Sequence, residues 1–300
     1  MLDYASLSAL AAVIREGSFE RAARALHVTP SAVSQRVRLL EERVGCALVI
    51  RDQPCRATDT GRRLCRHVDQ VQLLEQDLQG SLPALAQTAL GMARATLPVA
   101  VNADSLATWL APALAVFAAA HPVLMDVAVD DQDHTAEWLR SGAVLAAVSA
   151  MARPASGCNS RPLGAMRYLA AASPAFLQRY FAHGVGAASL ALAPSLVFNA
   201  KDELQARWVR RLCHRHVELP RHALPSPHAF VTAALAGMGW GLHPQALIQP
   251  HLDTGALVEL LPETPLDVAL HWHTARAASS LLDGLSGAVL AAARAALLPP

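Results

Sequence analysis

The sequence predicts a two-part chain: an N-terminal, all-α-dominated winged helix-turn-helix with a long linker helix, then a C-terminal two-lobed α/β domain. Three observations predict it. Residues 4–43 hold three short helical periodicities with almost nothing between them. From Ala95 onward, short apolar runs alternate with helical patterns, as in an α/β domain. Three hundred residues, 53% hydrophobic, suffice for two or three buried cores.

Tyr4 to Arg15 places Leu7, Leu10, Ala11 and Ile14 at helical spacing, a first helix packed under the next two. Phe19 to Arg43 reads as two helices joined by His27-Val28-Thr29. Ala22, Ala23 and Leu26 share a face of the first, and Val33, Val37 and Leu40 a face of the second. The pair Ala22-Ala23 lets two backbones approach closely at a tight corner. Thr29 is placed to cap the second helix and Pro30 to begin it, where a missing N–H costs nothing.

The outer face of that second helix carries Ser31, Ser34, Gln35, Arg36 and Arg38. A helix in the DNA major groove uses such groups: hydroxyls and amides on base edges, guanidiniums on guanine or phosphate. The plainer alternative is an amphipathic hairpin with a solvated polar face. Context favours DNA: between Arg15 and Arg66 stand eleven Arg against six acidic residues, although the net charge of the whole chain is only +1.

Ala47 to Arg51 favours a strand, Gln53-Pro54 a turn, and Cys55 to Thr58 a returning strand, together a small wing. Arg51 and Arg56 on this ribbon would reach phosphates or the minor groove; the alternative is two ordinary surface charges. Thr60 starts a helix to about Gly80 in which Leu64, Val68, Val71 and Leu78, then Leu82 and Leu85, keep nearly heptad spacing. Such a stripe packs on its own domain or on the same helix of a second chain. Two recognition helices on a palindrome require the second, so a dimer, and beyond it a tetramer, is expected. Gly80, Pro83 and Gly91 interrupt the pattern, and the domain boundary is expected near Ala93.

In the second part, strands are expected at 97–101, 123–129, 144–149, 167–172, 195–198, 239–243 and 266–273, with helices between. The helices include 106–120, one opening at Asp130 and running to Arg140, and a closing helix 277–298.

Several positions now agree in order and spacing: Gly17-Ser18-Phe19, Ala22-Ala23, Leu26, Ser31-Ala32-Val33-Ser34, Leu40-Glu41, Gly45, Leu48, Arg51, Thr58 and Gly61. On these, the first ninety residues resemble the winged helix-turn-helix and linker helix of LysR-type transcriptional regulators. The run Val101 to Leu110 with Pro112-Ala113-Leu114 is similar to the first effector-domain motif of the family's ArgP/LysG branch. Ile14-Arg15-Glu16, Phe198-Asn199 and Leu270-His271-Trp272-His273 also fit it. The family often carries Asp where this chain has Asn199. The resemblance implies a periplasmic-binding-protein-like effector domain and a regulator that responds to lysine or arginine and controls export or metabolism of basic amino acids. It implies three parts: residues 1–59 for DNA, 60–92 for the linker and dimer helix, and 93–300 for the effector. Lobe one would hold about 93–165 and 270–300, and lobe two about 166–269.

A free basic amino acid brings a carboxylate, an α-ammonium and a distal cation. The carboxylate suits a helix N-terminus with a hydroxyl, and Ser105 is so placed, within the run Asn102 to Thr108. The cations need carboxylates: Asp104, Asp130, Asp131, Asp133 and Asp202 lie near expected strand-to-helix turns. Asp and Ser also cap helices routinely, so each has a purely structural reading. Asn199, Ser226 and His228 complete the candidate set; a cap and a packing residue are the alternatives for the last two.

Other classes find little support. Cys213-His214-Arg215-His216 with His222 and His228 matches no standard zinc spacing, so no metal is expected. The five Cys are odd in number and contain no CxxC, which suggests free thiols. No nucleophile elbow, P-loop or dinucleotide fingerprint is present, so neither an enzyme nor a cofactor is expected. The start of the chain has no basic signal region and no apolar run free of charge or Pro is long enough to span a bilayer, so a cytoplasmic protein with no membrane partner is expected. Its expected partners are double-stranded DNA, a small effector, a second copy and, at a promoter, RNA polymerase. A nucleoid-type architectural protein is the alternative, with the second domain as an assembly surface.

Overall fold

The computed structural model describes residues 3–81, 96–121, 123–129, 135–140, 143–276 and 280–299. The chain opens with α1 (Tyr4–Glu16), capped by the Asp3 carboxylate, which accepts the N–H groups of Ala5 and Ser6. Next come α2 (Phe19–Ala25), capped by Ser18, and α3 (Pro30–Val44), capped by Thr29, whose hydroxyl accepts the Ala32 N–H at 3.2 Å. Each cap is worth about 1 kcal/mol. Leu7, Leu10 and Val13 of α1 meet Ala22, Ala23, Val33 and Val37 in one core, so the periodicities do mark the buried faces.

The wing consists of β1 (Val49–Ile50) and β2 (Arg56–Ala57), antiparallel with Val49 opposite Ala57. Thr58 then turns the chain: its hydroxyl donates to the Ala47 carbonyl and accepts the Gly61 N–H, opening α4 (Asp59–Ser81). A Cβ at Gly61 would lie 2.2 Å from the Leu48 carbonyl oxygen, so only glycine permits this approach of helix to wing. The apolar stripe expected along α4 divides in two. Leu64 and Val68 complete the N-terminal core and Val71 is half-buried, whereas Leu78 is 52% exposed; Leu74, which is not part of that stripe, is 54% exposed. Leu82, Leu85 and the boundary near Ala93 lie outside the described residues.

The second part starts with β3 (Thr96–Val101), α5 (Ala103–Ala120), β4 (Leu124–Val129), α6 (Thr135–Arg140), β5 (Ala146–Ser149) and β6 (Cys158–Ala172). It continues through α7 (Pro174–Phe181), α8 (Ala187–Leu190), β7 (Ser195–Val197), α9 (Leu204–Cys213) and β8 (Arg221–Ala223). Then follow α10 (Pro227–Leu235), β9 (Gly241–Pro244), α11 (Gln245–Asp253), β10 (Val258–Glu259), β11 (Leu266–Ala275) and α12 (Ser280–Ala296). One mixed sheet has the order β10-β6-β11-β5-β3-β4, with β9 also on β6; β7 and β8 pair separately, in parallel. β3 runs parallel to β4 and β5, whereas β6 is antiparallel to β11, β9 and β10. The long β6–β11 pair therefore joins a half built on β3–β5 to a half built on β9 and β10.

Here the structure corrects the sequence reading. β6 begins at Cys158, well before the expected Arg167, because Pro162 and Gly164 are accommodated at a bulge rather than ending the strand. Leu270 pairs with Gly164 but His271 with Pro162, which leaves Leu163 as the extra residue. Gly164 has φ +126°, and a Cβ there would sit 2.3 Å from the Leu298 carbonyl oxygen. Leu298 is not helical: it exchanges two backbone hydrogen bonds of 3.0 Å with Ala165. β8 and β10 were not expected, and the other strand ends shift by at most two residues.

α5 also differs from the uniform helix expected over 106–120. It starts at Ala103, and Leu106–Leu110 widens into a π-helical turn. The Thr108 hydroxyl donates to the Asp104 carbonyl at 2.7 Å, and Pro112 has no N–H to return to Thr108, so the regular ladder is broken there. By length and composition α5 is the described helix that meets the criteria for a bilayer span. Instead, Trp109, Leu110, Leu114 and Phe117 pack in the core with Leu97 and Val99 of β3 and Leu285 and Val289 of α12. Trp272 joins this core and donates its indole N–H to Ser286 at 2.9 Å.

Candidate functional site

Two surfaces gather the candidate residues. On α3, with Val33, Val37 and Leu40 turned inward, Ser31, Gln35 and Arg38 are exposed and Ser34 and Arg36 half-buried. Ser31 shares a 3.0 Å hydrogen bond with Thr29 at the helix start, and Arg38 pairs with Glu42 one turn on, at 2.9 Å. On the wing, Arg51 stacks over the Phe19 ring at 5.2 Å and Arg56 pairs with Asp52. All seven candidate residues therefore belong to one small domain, along a helix and the hairpin beside it. Exposed pairs such as Arg38–Glu42 contribute under about 1 kcal/mol, so phosphate can displace them at little cost.

The second surface is a cleft of about 500 Å³ in the α/β part, a size suited to a small molecule. One wall is the β3-to-α5 junction, where Asn102, Ala103 and Asp104 line the opening. Asn102 stands at the N-cap but its side chain makes no cap hydrogen bond, so among the described residues the first-turn N–H groups have no side-chain cap. The opposite wall is the turn after β7. There Asp202 accepts the N–H groups of Phe198 at 2.8 Å and Leu204 at 3.0 Å, while Asn199 accepts that of Lys201 at 2.8 Å. These bonds fix a turn that brings Glu203 and, on α9, Arg207 to the cleft.

Across the floor, Tyr168 of β6 donates its hydroxyl to Asp104 Oδ2 at 2.7 Å. Burial pushes the Asp104 carboxyl up to about 6; the Tyr168 hydrogen bond opposes this and the Asp202 charge adds to it. Burial, then the Asp104 charge, drives the Tyr168 phenol well above its ordinary value. His243 of β9 is wholly buried in the same floor, and burial lowers it to about 4, so it is neutral at pH 7. Phe230 meets its ring edge-on at 6.0 Å.

Of the candidate effector residues, Asn102, Asp104, Asn199 and Asp202 line this cleft. Ser105 does not: it is fully buried, and its hydroxyl has no hydrogen-bond partner among the described residues. Thr108 lies against a separate cavity of about 460 Å³, with Trp109, Arg167 and Leu298. Ser226 caps α10, accepting the Ala229 N–H at 3.3 Å, and His228 is exposed outside the cleft; Pro227 and Phe230 take those places in its wall. Asp130, Asp131 and Asp133 lie outside the described residues. Sequence reasoning missed Tyr168, Glu203, Arg207 and His243. Only Tyr168 left a signal, as a polar-tipped aromatic at the head of the apolar run 169–172.

Comparison with known proteins agrees with this architecture. Residues 4–62 match the profile of the bacterial regulatory helix-turn-helix protein, lysR family, and residues 91–294 that of the LysR substrate binding domain. The chain is 47% identical over 295 residues to the HTH-type transcriptional regulator ArgP of Pseudomonas aeruginosa, covering 98% of this chain and 96% of that one. It is 43% identical to the crystal structure of ArgP from Mycobacterium tuberculosis, with a TM-score of 0.79 and full coverage of both chains. It is 34% identical to full-length LysG from Corynebacterium glutamicum with bound effector Arg, with a TM-score of 0.66, covering 99% of this chain and all of that one. With both halves matched, the chain belongs to the LysR family of helix-turn-helix transcriptional regulators and is not an enzyme.

Proposed function

We propose that this regulator is switched by a free basic amino acid, L-lysine or L-arginine, held in the cleft between β3–α5 and the turn after β7. The observation that carries this reading is the arrangement of charge: Asp104, Asp202 and Glu203 line one cleft around a buried floor, with Lys201 and Arg207 beside them. Those carboxylates suit the two cationic groups of the ligand. Its carboxylate suits the uncapped N–H groups of α5 and the Arg207 guanidinium, rather than Ser105. Bound arginine in the related LysG supports the same chemistry. A ligand that touches both walls favours their approach by its greater affinity for the closed arrangement.

In this reading α3 reads base edges through Ser31, Ser34, Gln35, Arg36 and Arg38, and Arg51 and Arg56 hold phosphates. The chain divides near residues 59 and 92, and dimers form through the exposed half of α4, with tetramers beyond. The regulator acts in the cytoplasm at promoters, alongside RNA polymerase, on genes of amino-acid export or metabolism. A ligand-sized cleft favours this over the architectural-protein alternative. Calorimetric titration of the purified protein tests it: L-lysine or L-arginine should bind, and benzoate and salicylate should not. Binding of either aromatic acid, with neither amino acid bound, would overturn it.

A further inference from the structure

Among the described residues, Asp104 is the cleft carboxylate whose side chain is tied to the floor. Asp202 is held by backbone N–H groups of its own turn, whereas Asp104 Oδ2 takes its hydrogen bond from a side chain on another element, the Tyr168 hydroxyl. Tyr168 is 3% exposed, pairs with Leu266 of β11 and Pro244 of β9, and stands on the strand common to both halves of the sheet. A phenol buried beside a carboxylate has one evident use, to donate to it. That donation fixes one oxygen of Asp104 and leaves the other for a ligand cation. It also favours the ionised carboxylate over the neutral acid.

We propose that Tyr168 is the positioning residue of the cleft: its hydroxyl aims Asp104 at the cationic group of the effector and holds it in the charged form that binds a cation. This rests on the reading of the cleft as a basic amino-acid site. Effector binding is then proton-linked, because a neutral Asp104 offers no charge to the ligand.

Neither His243 nor the Tyr168 phenol produces that dependence. His243 on β9, with a value of about 4, stays neutral through the range where Asp104 titrates. The Tyr168 phenol stays protonated throughout. Lys201, Asp202 and Glu203 on the turn after β7 and Arg207 on α9 line the same wall, and of these Asp202 acts on Asp104 directly, opposing its ionisation. A bound cation between Asp104 and Asp202 cancels that opposition, so binding expels a proton whenever Asp104 starts protonated.

The test is calorimetric titration of the full chain with L-arginine and L-lysine from pH 5 to 8. Wild-type affinity should fall about tenfold per pH unit once pH drops below about 6, the midpoint set by Asp104. In Tyr168→Phe, which loses only the hydroxyl, that midpoint should rise by about one pH unit. Affinity should then be about fivefold weaker than wild type at pH 6 and within about twofold at pH 8. Asp104→Asn should bind weakly with a flat profile, and adding Tyr168→Phe to it should change nothing further. A Tyr168→Phe protein with the wild-type affinity, or one weakened by the same factor at every pH, overturns the positioning role. If the wild type binds neither amino acid at any pH, the reading of the cleft itself fails and this proposal with it.

Discussion

Glu41 of α3 accepts the backbone N–H of Leu48 at 2.7 Å and that of Val49 at 3.3 Å, so one carboxylate joins the recognition helix to the wing. Leu48 and Val49 are themselves buried in the N-terminal core. This carboxylate therefore ties the wing to α3 and helps to set the spacing between α3 and Arg51.

Glu41→Ala should leave two N–H groups at the wing without their acceptor and destabilise the N-terminal part by about 1–3 kcal/mol. Operator affinity should fall with it, since the wing loses its register. Glu41→Gln, which keeps an acceptor oxygen, should recover most of both. Urea unfolding and a DNA titration measure the two effects, and equal loss in both variants would mean that charge, not the hydrogen bonds, is what matters.

On the reading face, Gln35→Ala and Arg36→Ala should each weaken operator binding by about 1–3 kcal/mol while scarcely affecting random DNA. Arg51→Ala should weaken all sequences alike and flatten the dependence on salt, because a guanidinium stacked on Phe19 on the wing is placed for phosphate rather than for a base edge. Mobility shifts on operator and scrambled duplexes over a range of salt separate the two. Loss of specificity in Arg51→Ala would reverse the assignment.

For assembly, the exposed half of α4 singles out Leu74 over Val68. Leu74 is 54% exposed, so Leu74→Glu should leave the monomer folded yet place a carboxylate in any helix–helix seam. Sedimentation should then show a smaller species with an unchanged circular dichroism spectrum. Val68→Glu, by contrast, should unfold the N-terminal core, in which Val68 is fully buried. A Leu74→Glu protein of wild-type mass would remove α4 from the dimer.

What the sequence made legible followed from local rules. Thr29-Pro30 announced the start of α3 because a cap and a proline act within one turn. Val33, Val37 and Leu40 announced its buried face because that face repeats with the helix. The cleft was legible at its β3–α5 edge, where Asp104 sits in a recognisable run, and at Asn199 and Asp202 in the turn after β7. Tyr168, Arg207 and His243 come from three elements far apart in sequence, and only the β6–β9 pairing and the packing of α9 bring them to one floor and wall. Ser105 shows the limit from the other side. It stands one position beyond Asp104, and on a helix that step of about 100° separates the cleft wall from the core. The early start of β6 at Cys158 has a different cause: Pro162 and Gly164 are residues that usually end strands, but a bulge in an antiparallel pair admits them.

The burial of Asp104 also predicts a stability cost. Its value rises from 3.8 to about 6 on folding, so between these limits the folded chain holds a proton that the unfolded chain has released. Stability therefore falls as pH rises from about 4 to about 6, and the full penalty, up to about 3 kcal/mol, persists at neutral pH. Asp104→Asn removes the titration but keeps an oxygen that can accept the Tyr168 hydroxyl. Without effector, the variant should resemble wild type in stability near pH 4 and exceed it at pH 7, by about 2 kcal/mol more than at pH 4.5. Urea midpoints of both proteins at the two pH values measure this difference. A ligand cation offsets the same penalty in the wild type, so saturating L-arginine should raise the wild-type midpoint at pH 7 and leave that of Asp104→Asn nearly unmoved. If Asp104→Asn is less stable than wild type at pH 7, the buried carboxylate is repaid within the folded chain, and Asp104 is structural rather than held ready for a cation.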